Sequence, residues 1–184
     1  MNCSYTCLTC NNTATTCTSC SSANNRVYIN GNNTCPCAAK YYDNGAAACA
    51  SCHYSCTTCS TSGSSSCLTC DNANAYRSIS GTSCLCLDGY FDNSTYVCPA
   101  CSYKCVTCQT NATNCLTCGG NRGVAPGCLA NQGYYDDGIS TTCPMCHYSC
   151  QNCSDGVSCN VCNALNFRIL TSLTPLCACM PRYY

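Results

Sequence analysis

The residues of this chain whose type and spacing suggest chemistry are its cysteines, arranged in eleven CxxC pairs. Such pairs hold zinc, cycle as redox dithiols or close into disulfides, and each use makes a different demand on the surrounding chain. Zinc ribbons space their pairs by roughly 15–20 residues; successive pairs here, such as Cys7-Cys10 and Cys17-Cys20, are 5–7 residues apart. A thioredoxin-like dithiol needs a strand and a helix around it, and no such pattern frames any pair. Disulfides remain. Two histidines, His53 and His147, share a motif position that Ser4 and Ser102 fill elsewhere, so a surface role is expected for them rather than a catalytic or metal-binding one. A nucleophile with its base, a tuned carboxylate pair and a phosphate loop are all missing, and an enzyme needs at least one. The chain is expected to be non-catalytic, with no metal and no cofactor.

The composition demands the same cysteines as structural staples. Cys supplies 30 of 184 residues, while Leu, Ile, Val and Phe together supply 22. A chain so poor in large apolar side chains stays disordered unless covalent links replace the core. Seven Lys and Arg balance seven Asp, Glu does not occur, and 8% of residues are charged, so no basic patch exists to hold a nucleic acid. No run approaches the roughly 18 apolar residues of a membrane-spanning helix, and no signal peptide precedes Cys3. Thirty cysteines stay paired only in an oxidising compartment. The expected location is therefore extracellular or at the cell surface, reached by the secretory pathway. A mature, trimmed or partial chain is expected, its leader upstream and any membrane contact made through other segments.

The elements that position the cysteines are repeats. NCSYTCLTC at 2–10, CHYSCTTC at 52–59, CSYKCVTC at 101–108 and CHYSCQNC at 146–153 are one segment written four times. A second CxxC follows each, then a loop of 9–14 residues, then a closing cysteine that in three repeats begins a CxC. Aromatic pairs come next: Tyr41-Tyr42, Tyr90-Phe91, Tyr134-Tyr135 and Tyr183-Tyr184. Repeats are expected at 1–51, 52–100, 101–145 and 146–184. The third has Ala130 where its seventh cysteine belongs, and the fourth ends before its eighth, as though the array were cut within a repeat. Short loops with turn pairs such as Asn30-Gly31 and Ser80-Gly81 predict irregular β-hairpins and almost no helix. Units that contact only their neighbours predict a linear rod.

The pattern Cx3CxxCx7CxxCx13CxCx11C at 52–98, with its Gly-aromatic-aromatic segment, resembles the furin-like, growth-factor-receptor cysteine-rich repeat, also found in R-spondins. In low charge and abundant Ser, Thr and Asn the chain is more similar to cysteine-rich protist surface proteins, such as ciliate immobilisation antigens. The resemblance implies tandem furin-like modules with cysteines paired first to third, second to fourth, fifth to sixth and seventh to eighth. Carried over, it implies Cys3–Cys10, Cys7–Cys17, Cys20–Cys35 and Cys37–Cys49 in repeat one, and Cys52–Cys59, Cys56–Cys67, Cys70–Cys84 and Cys86–Cys98 in repeat two. Repeat three would hold Cys101–Cys108, Cys105–Cys115 and Cys118–Cys128. Repeat four would hold Cys146–Cys153, Cys150–Cys159 and Cys162–Cys177. Cys143 and Cys179 are left unpaired or available for an intermolecular bond.

Three further features recur. Tyr5, Tyr54, Tyr103 and Tyr148 stand inside CxYxC and, like the aromatic pairs, are expected to cover disulfides and join modules rather than to stack ligands. Arg26, Arg77, Arg122 and Arg168 occur once per repeat, and Asp43, Asp92 and Asp136 follow the aromatic pairs. Arg–Asp contacts, Arg stacked on Tyr and solvated pairs of little weight are all open to them. Sequons at Asn2, Asn11, Asn32, Asn93, Asn111 and Asn152 are candidate carriers of N-linked glycans. The expected function is that of a structural, glycosylated repeat protein of a cell-surface coat or extracellular fibre, partnered by its own copies; Cys143 either joins another copy head to tail, as through its Cys179, or re-pairs locally or with a cysteine outside this sequence. A ligand-binding receptor-like ectodomain is the alternative.

Overall fold

The computed structural model describes residues 2–171 and 174–183. Among them lie seven separate two-stranded antiparallel sheets. Helix is limited to Asn72–Ala75 and two three-residue 3-10 turns, Ser22–Asn24 and Ala164–Asn166. This is a small disulfide-rich β-hairpin protein.

Each repeat is built from short ladders in a fixed order. The first joins its two CxxC segments: Thr9–Cys10 to Cys17–Ser19, Thr58–Cys59 to Cys67–Thr69, Cys105–Cys108 to Cys115–Cys118, and Cys150–Cys153 to Cys159–Cys162. The second begins at the recurring arginine. It is a full hairpin in Arg77–Ser80 with Ser83–Cys86 and in Arg168–Thr171 with Thr174–Cys179, and shrinks to the bridges Arg26↔Cys37 and Ile29↔Thr34 in repeat one and Arg122↔Ala130 in repeat three. The tip at Gly81 needs a left-handed residue, φ 60°, which glycine adopts without a Cβ clash. The third ladder carries the aromatic pair, as Tyr41–Tyr42 with Ala50–Ser51 and as the bridges Tyr90↔Ala100 and Tyr134↔Met145. Tyr184 lies outside the described residues.

Cysteine replaces the aliphatic core. Among the described residues every buried apolar side chain except Ala75 is a cysteine, whereas Leu8, Leu68, Leu85 and Leu116 stand exposed. The sulfurs form fourteen bridges in loops of 7–15 residues, each worth about 2–3 kcal/mol.

The chain forms two compact units, Met1–Leu87 with Ser94–Cys98, and Asp88–Asn93 with Pro99–Tyr184. Their division does not follow the repeat ends. In the first unit Tyr42, from repeat one, packs on the Cys56, Cys59, Cys67 and Cys84 cluster of repeat two. In the second, Phe91 packs on the Cys105, Cys108, Cys115 and Cys128 cluster, and Tyr135 on the cluster around Cys150. The second aromatic of each of these pairs therefore covers the sulfurs of the following repeat, which explains why Asp88–Asn93 groups with repeat three.

Candidate functional site

Each repeat centres on its arginine, placed by a backbone device common to all four. The residue before it is left-handed: Asn25, Tyr76, Asn121 and Phe167 have φ of 53–61°. That turn swings the next side chain into the module. Arg26, Arg77 and Arg122 are buried, and a guanidinium withdrawn from water must find acceptors for its donors.

Arg26 satisfies all five. Its Nε donates to Ala47 O at 2.8 Å, Nη1 to Cys35 O at 3.0 Å and Asp43 Oδ2 at 3.3 Å, and Nη2 to Asp43 Oδ1 at 3.2 Å and Ala46 O at 2.8 Å. Arg77 donates to Tyr96 O, Cys84 O and Thr95 O. Arg122 donates to Thr141 O, Cys128 O, Ser140 O and Asp136 Oδ1. Arg168, half-buried, donates to Cys177 O at 3.1 Å. Nη1 thus always reaches the closing cysteine of the fifth-to-sixth bridge, tying the second ladder to the staple.

The CxYxC tyrosine lies over the guanidinium. Tyr5, Tyr54 and Tyr103 place ring centroids 5.4 Å from their arginines, and Tyr148 5.1 Å from Arg168. Tyr5 also donates to Asp43, and Tyr103 to Asp136. Arg–Asp pairing and Arg–Tyr stacking are one structure in repeats one and three. The Arg26 guanidinium holds the Asp43 carboxyl below its ordinary range. Asp136, flanked by Arg122 and by Lys104 at 3.1 Å, is driven lower still, well below the carboxylate range.

All 28 bridged cysteines stand in the pairs the resemblance implies: Cys3–Cys10, Cys7–Cys17, Cys20–Cys35 and Cys37–Cys49, Cys52–Cys59, Cys56–Cys67, Cys70–Cys84 and Cys86–Cys98, Cys101–Cys108, Cys105–Cys115 and Cys118–Cys128, and Cys146–Cys153, Cys150–Cys159 and Cys162–Cys177. Cys143 and Cys179 are free. Cys143 is 1% exposed, and burial pushes its thiol up from the ordinary value. Ala130 pairs with Arg122 as Cys37 does with Arg26 and Cys86 with Arg77, so Cys143 faces the place its partner would occupy. Cys143 N donates to Gly120 O as Cys49 N does to Asn24 O and Cys98 N to Ala75 O in the bridged repeats, and in repeat three the Asn121 side chain adds a bond from Nδ2 to Cys143 O at 3.1 Å. Gly119 lies so close to Thr141 that a Cβ would sit 2.0 Å from its carbonyl oxygen.

All six sequon asparagines are exposed. Asn152 lies within a strand, opposite Val161, whereas Asn111 Oδ1 caps its own turn by accepting from the Thr113 and Asn114 N–H groups. His53 and His147 each place Nδ1 2.8 Å from a serine hydroxyl, Ser55 or Ser149. Lys40 and Tyr96, which no repeat-wide pattern marks, meet in the first unit with the ammonium 3.6 Å from the ring centroid. Among the described residues no group of His, Cys, Asp or Glu is arranged to hold a metal ion, and no helix is long and apolar enough to cross a membrane. No protein-family model, curated protein or solved structure matches the chain.

Proposed function

We propose that this is a non-catalytic structural protein of the extracellular surface, an array of furin-like repeats that builds a coat or fibre. The observation that carries the proposal is the packing of Tyr42, Phe91 and Tyr135 on the sulfurs of the next repeat. A rule in which each module caps its successor extends to any number of modules, as a solenoid does, and a spacer needs that property. The arginine centres support the same reading, since Arg26, Arg77 and Arg122 bury the recurring charge internally. Fourteen disulfides suit secretion, and the six exposed sequons are available for N-linked sugar.

Assembly through copies of the same chain completes the proposal. Cys179, half-buried and free, is the cysteine suited to a covalent link; Cys143 is enclosed. The test is the intact mass of native-source protein without reductant, thiols alkylated, before and after enzymatic removal of sugar. A ladder of masses that collapses to a glycosylated monomer on reduction is the expected result. A bare monomer with two alkylated thiols and no higher assembly by sedimentation overturns the fibre and favours a receptor-like ectodomain.

A further inference from the structure

Uniform modules make departures from uniformity informative, and two of them converge on one site of the first unit. It is an open cleft of about 200 Å³ lined by Lys40, Tyr41, Ser51, His53, Tyr54 and Tyr96 among others. Lys40 is the first departure. Its carbonyl accepts from Cys52 N as Gly89 O does from Cys101 N and Gly133 O from Cys146 N, so repeats two and three have glycine at this position. The backbone there is left-handed in all four, φ 71° at Lys40 and 78° at Arg182 of repeat four against 81° and 83° at the glycines. A lysine carries strain in that conformation which glycine does not. Tyr96 is the second departure. Its carbonyl accepts from Arg77 Nε where Ala47 and Thr141 serve the arginines of repeats one and three. His53 replaces the serine of repeats one and three; repeat four shares it as His147, but there the residue before the adjoining aromatic pair is Gly133 rather than a lysine.

The polarity of the cleft is one-sided. Among the described residues the Lys40 ammonium pairs with no carboxylate; it rests on the face of Tyr96. His53 Nδ1 is engaged by Ser55, 2.8 Å from its hydroxyl and 3.4 Å from its N–H, which makes Nε2 the ring nitrogen to offer to a ligand. Ser51 adds a hydroxyl. Tyr96 has its own hydroxyl engaged, donating to Asp71 Oδ2 at 3.2 Å and meeting Thr57 Oγ1 at 3.1 Å. None of the lining residues is acidic. A cleft of aromatic walls with an ammonium, an imidazole and a hydroxyl is complementary to an oxyanion carried on a compact ring.

We propose that this cleft binds a carboxylate borne on a single ring of about sugar size, with Lys40 and His53 holding the oxyanion and Tyr54 and Tyr41 flanking the ring. The site is independent of whether the array forms a fibre. Its test uses the disulfide-intact chain labelled with 15N and titrated separately with glucuronate, benzoate and, as the uncharged control, glucose. Saturable amide shifts confined to Lys40, Ser51, His53 and Tyr96 and their neighbours are expected with a carboxylate and not with glucose. Response to glucuronate alone identifies an acidic sugar, response to benzoate alone a flat apolar acid, and response to both the shared carboxylate-on-ring chemistry. Lys40→Gly and His53→Ser restore residues that sister repeats already carry, so the fold is retained, and each is expected to weaken binding at least tenfold. Absence of saturable shifts with both acids, equal response to glucose, or undiminished binding by Lys40→Gly overturns the proposal.

Discussion

A buried guanidinium is costly unless every donor is met, and here most acceptors are backbone carbonyls fixed by neighbouring disulfides. Removing the arginine therefore strands several acceptors at once. Arg77→Met keeps the volume but leaves Cys84 O, Tyr96 O and Thr95 O without that donor; we expect a loss of about 3–5 kcal/mol. The readout is hydrogen exchange at Cys98 N, which donates to Ala75 O within the same module, accelerated by about 10² or more. Tyr54→Leu removes the ring over the Arg77 guanidinium and should cost at least about 1 kcal/mol. Charge at this scale also sets an acid limit. Asp136 has a native pKa below its unfolded value of about 3.9. Its contribution is therefore complete above about pH 4 and is lost as pH falls through the lower native value. Thermal unfolding followed from pH 5 down to pH 2 should show a decline that is shallower in Asp136→Asn, the remainder coming from Asp43 and the other lowered aspartates, with the variant less stable at pH 5.

Ladders and staples are interchangeable over short distances, and repeat three shows how. It lacks the seventh-to-eighth bridge yet keeps the same register at Arg122↔Ala130, because Gly119 admits a close backbone approach and Asn121 clamps Cys143. Two consequences are measurable. Ala130→Cys should pair with Cys143 across a span of 13 residues, one more than the 12 of Cys37–Cys49 and Cys86–Cys98. The unfolded protein would then show one free thiol instead of two despite the added cysteine, with a gain of about 2–3 kcal/mol. In the unaltered chain, alkylation of Cys179 should outpace that of Cys143 by at least about tenfold, because the buried thiol is both inaccessible and harder to ionise. Gly119→Ala, with its Cβ driven into Thr141, should destabilise repeat three while leaving the bridges of repeat one as resistant to reductant as before.

For the whole molecule the staples carry what an aliphatic core supplies elsewhere, and that made the class legible from spacing alone. The hairpins, the scarcity of helix and the recurrence of one Arg and one Tyr per repeat all follow from residues that recur at fixed positions. Two things were not legible. The left-handed residue before each arginine is Asn, Tyr, Asn or Phe, and the bulky members give no sequence sign of a conformation that tertiary contacts impose. The Lys40 and Tyr96 cleft is formed by residues 56 positions apart that depart from the repeat, so a search for recurrence passes over them. Packing across repeat ends was legible in part: the aromatic pairs were expected to cover disulfides and join modules, and the structure adds that the second member of each pair is the one that seals the next set of sulfurs. Phe91→Ser tests that seal, and Cys101–Cys108 should then reduce faster while Cys52–Cys59 is unaffected, as read by mass mapping of partially reduced protein.

The same seal fixes where such a gene can be cut and rejoined. A segment exchanged between cysteine boundaries, such as 52–100, would carry its own sulfurs but rely on a foreign Tyr42 to cover them, while exporting Phe91 to a stranger. A segment that runs from one aromatic pair to the next, 41–89, keeps each lid with the cluster it closes. Recombination, duplication and deletion should therefore be tolerated at the aromatic pairs and penalised between the eighth cysteine and the first, a phase that lengths of related arrays would record.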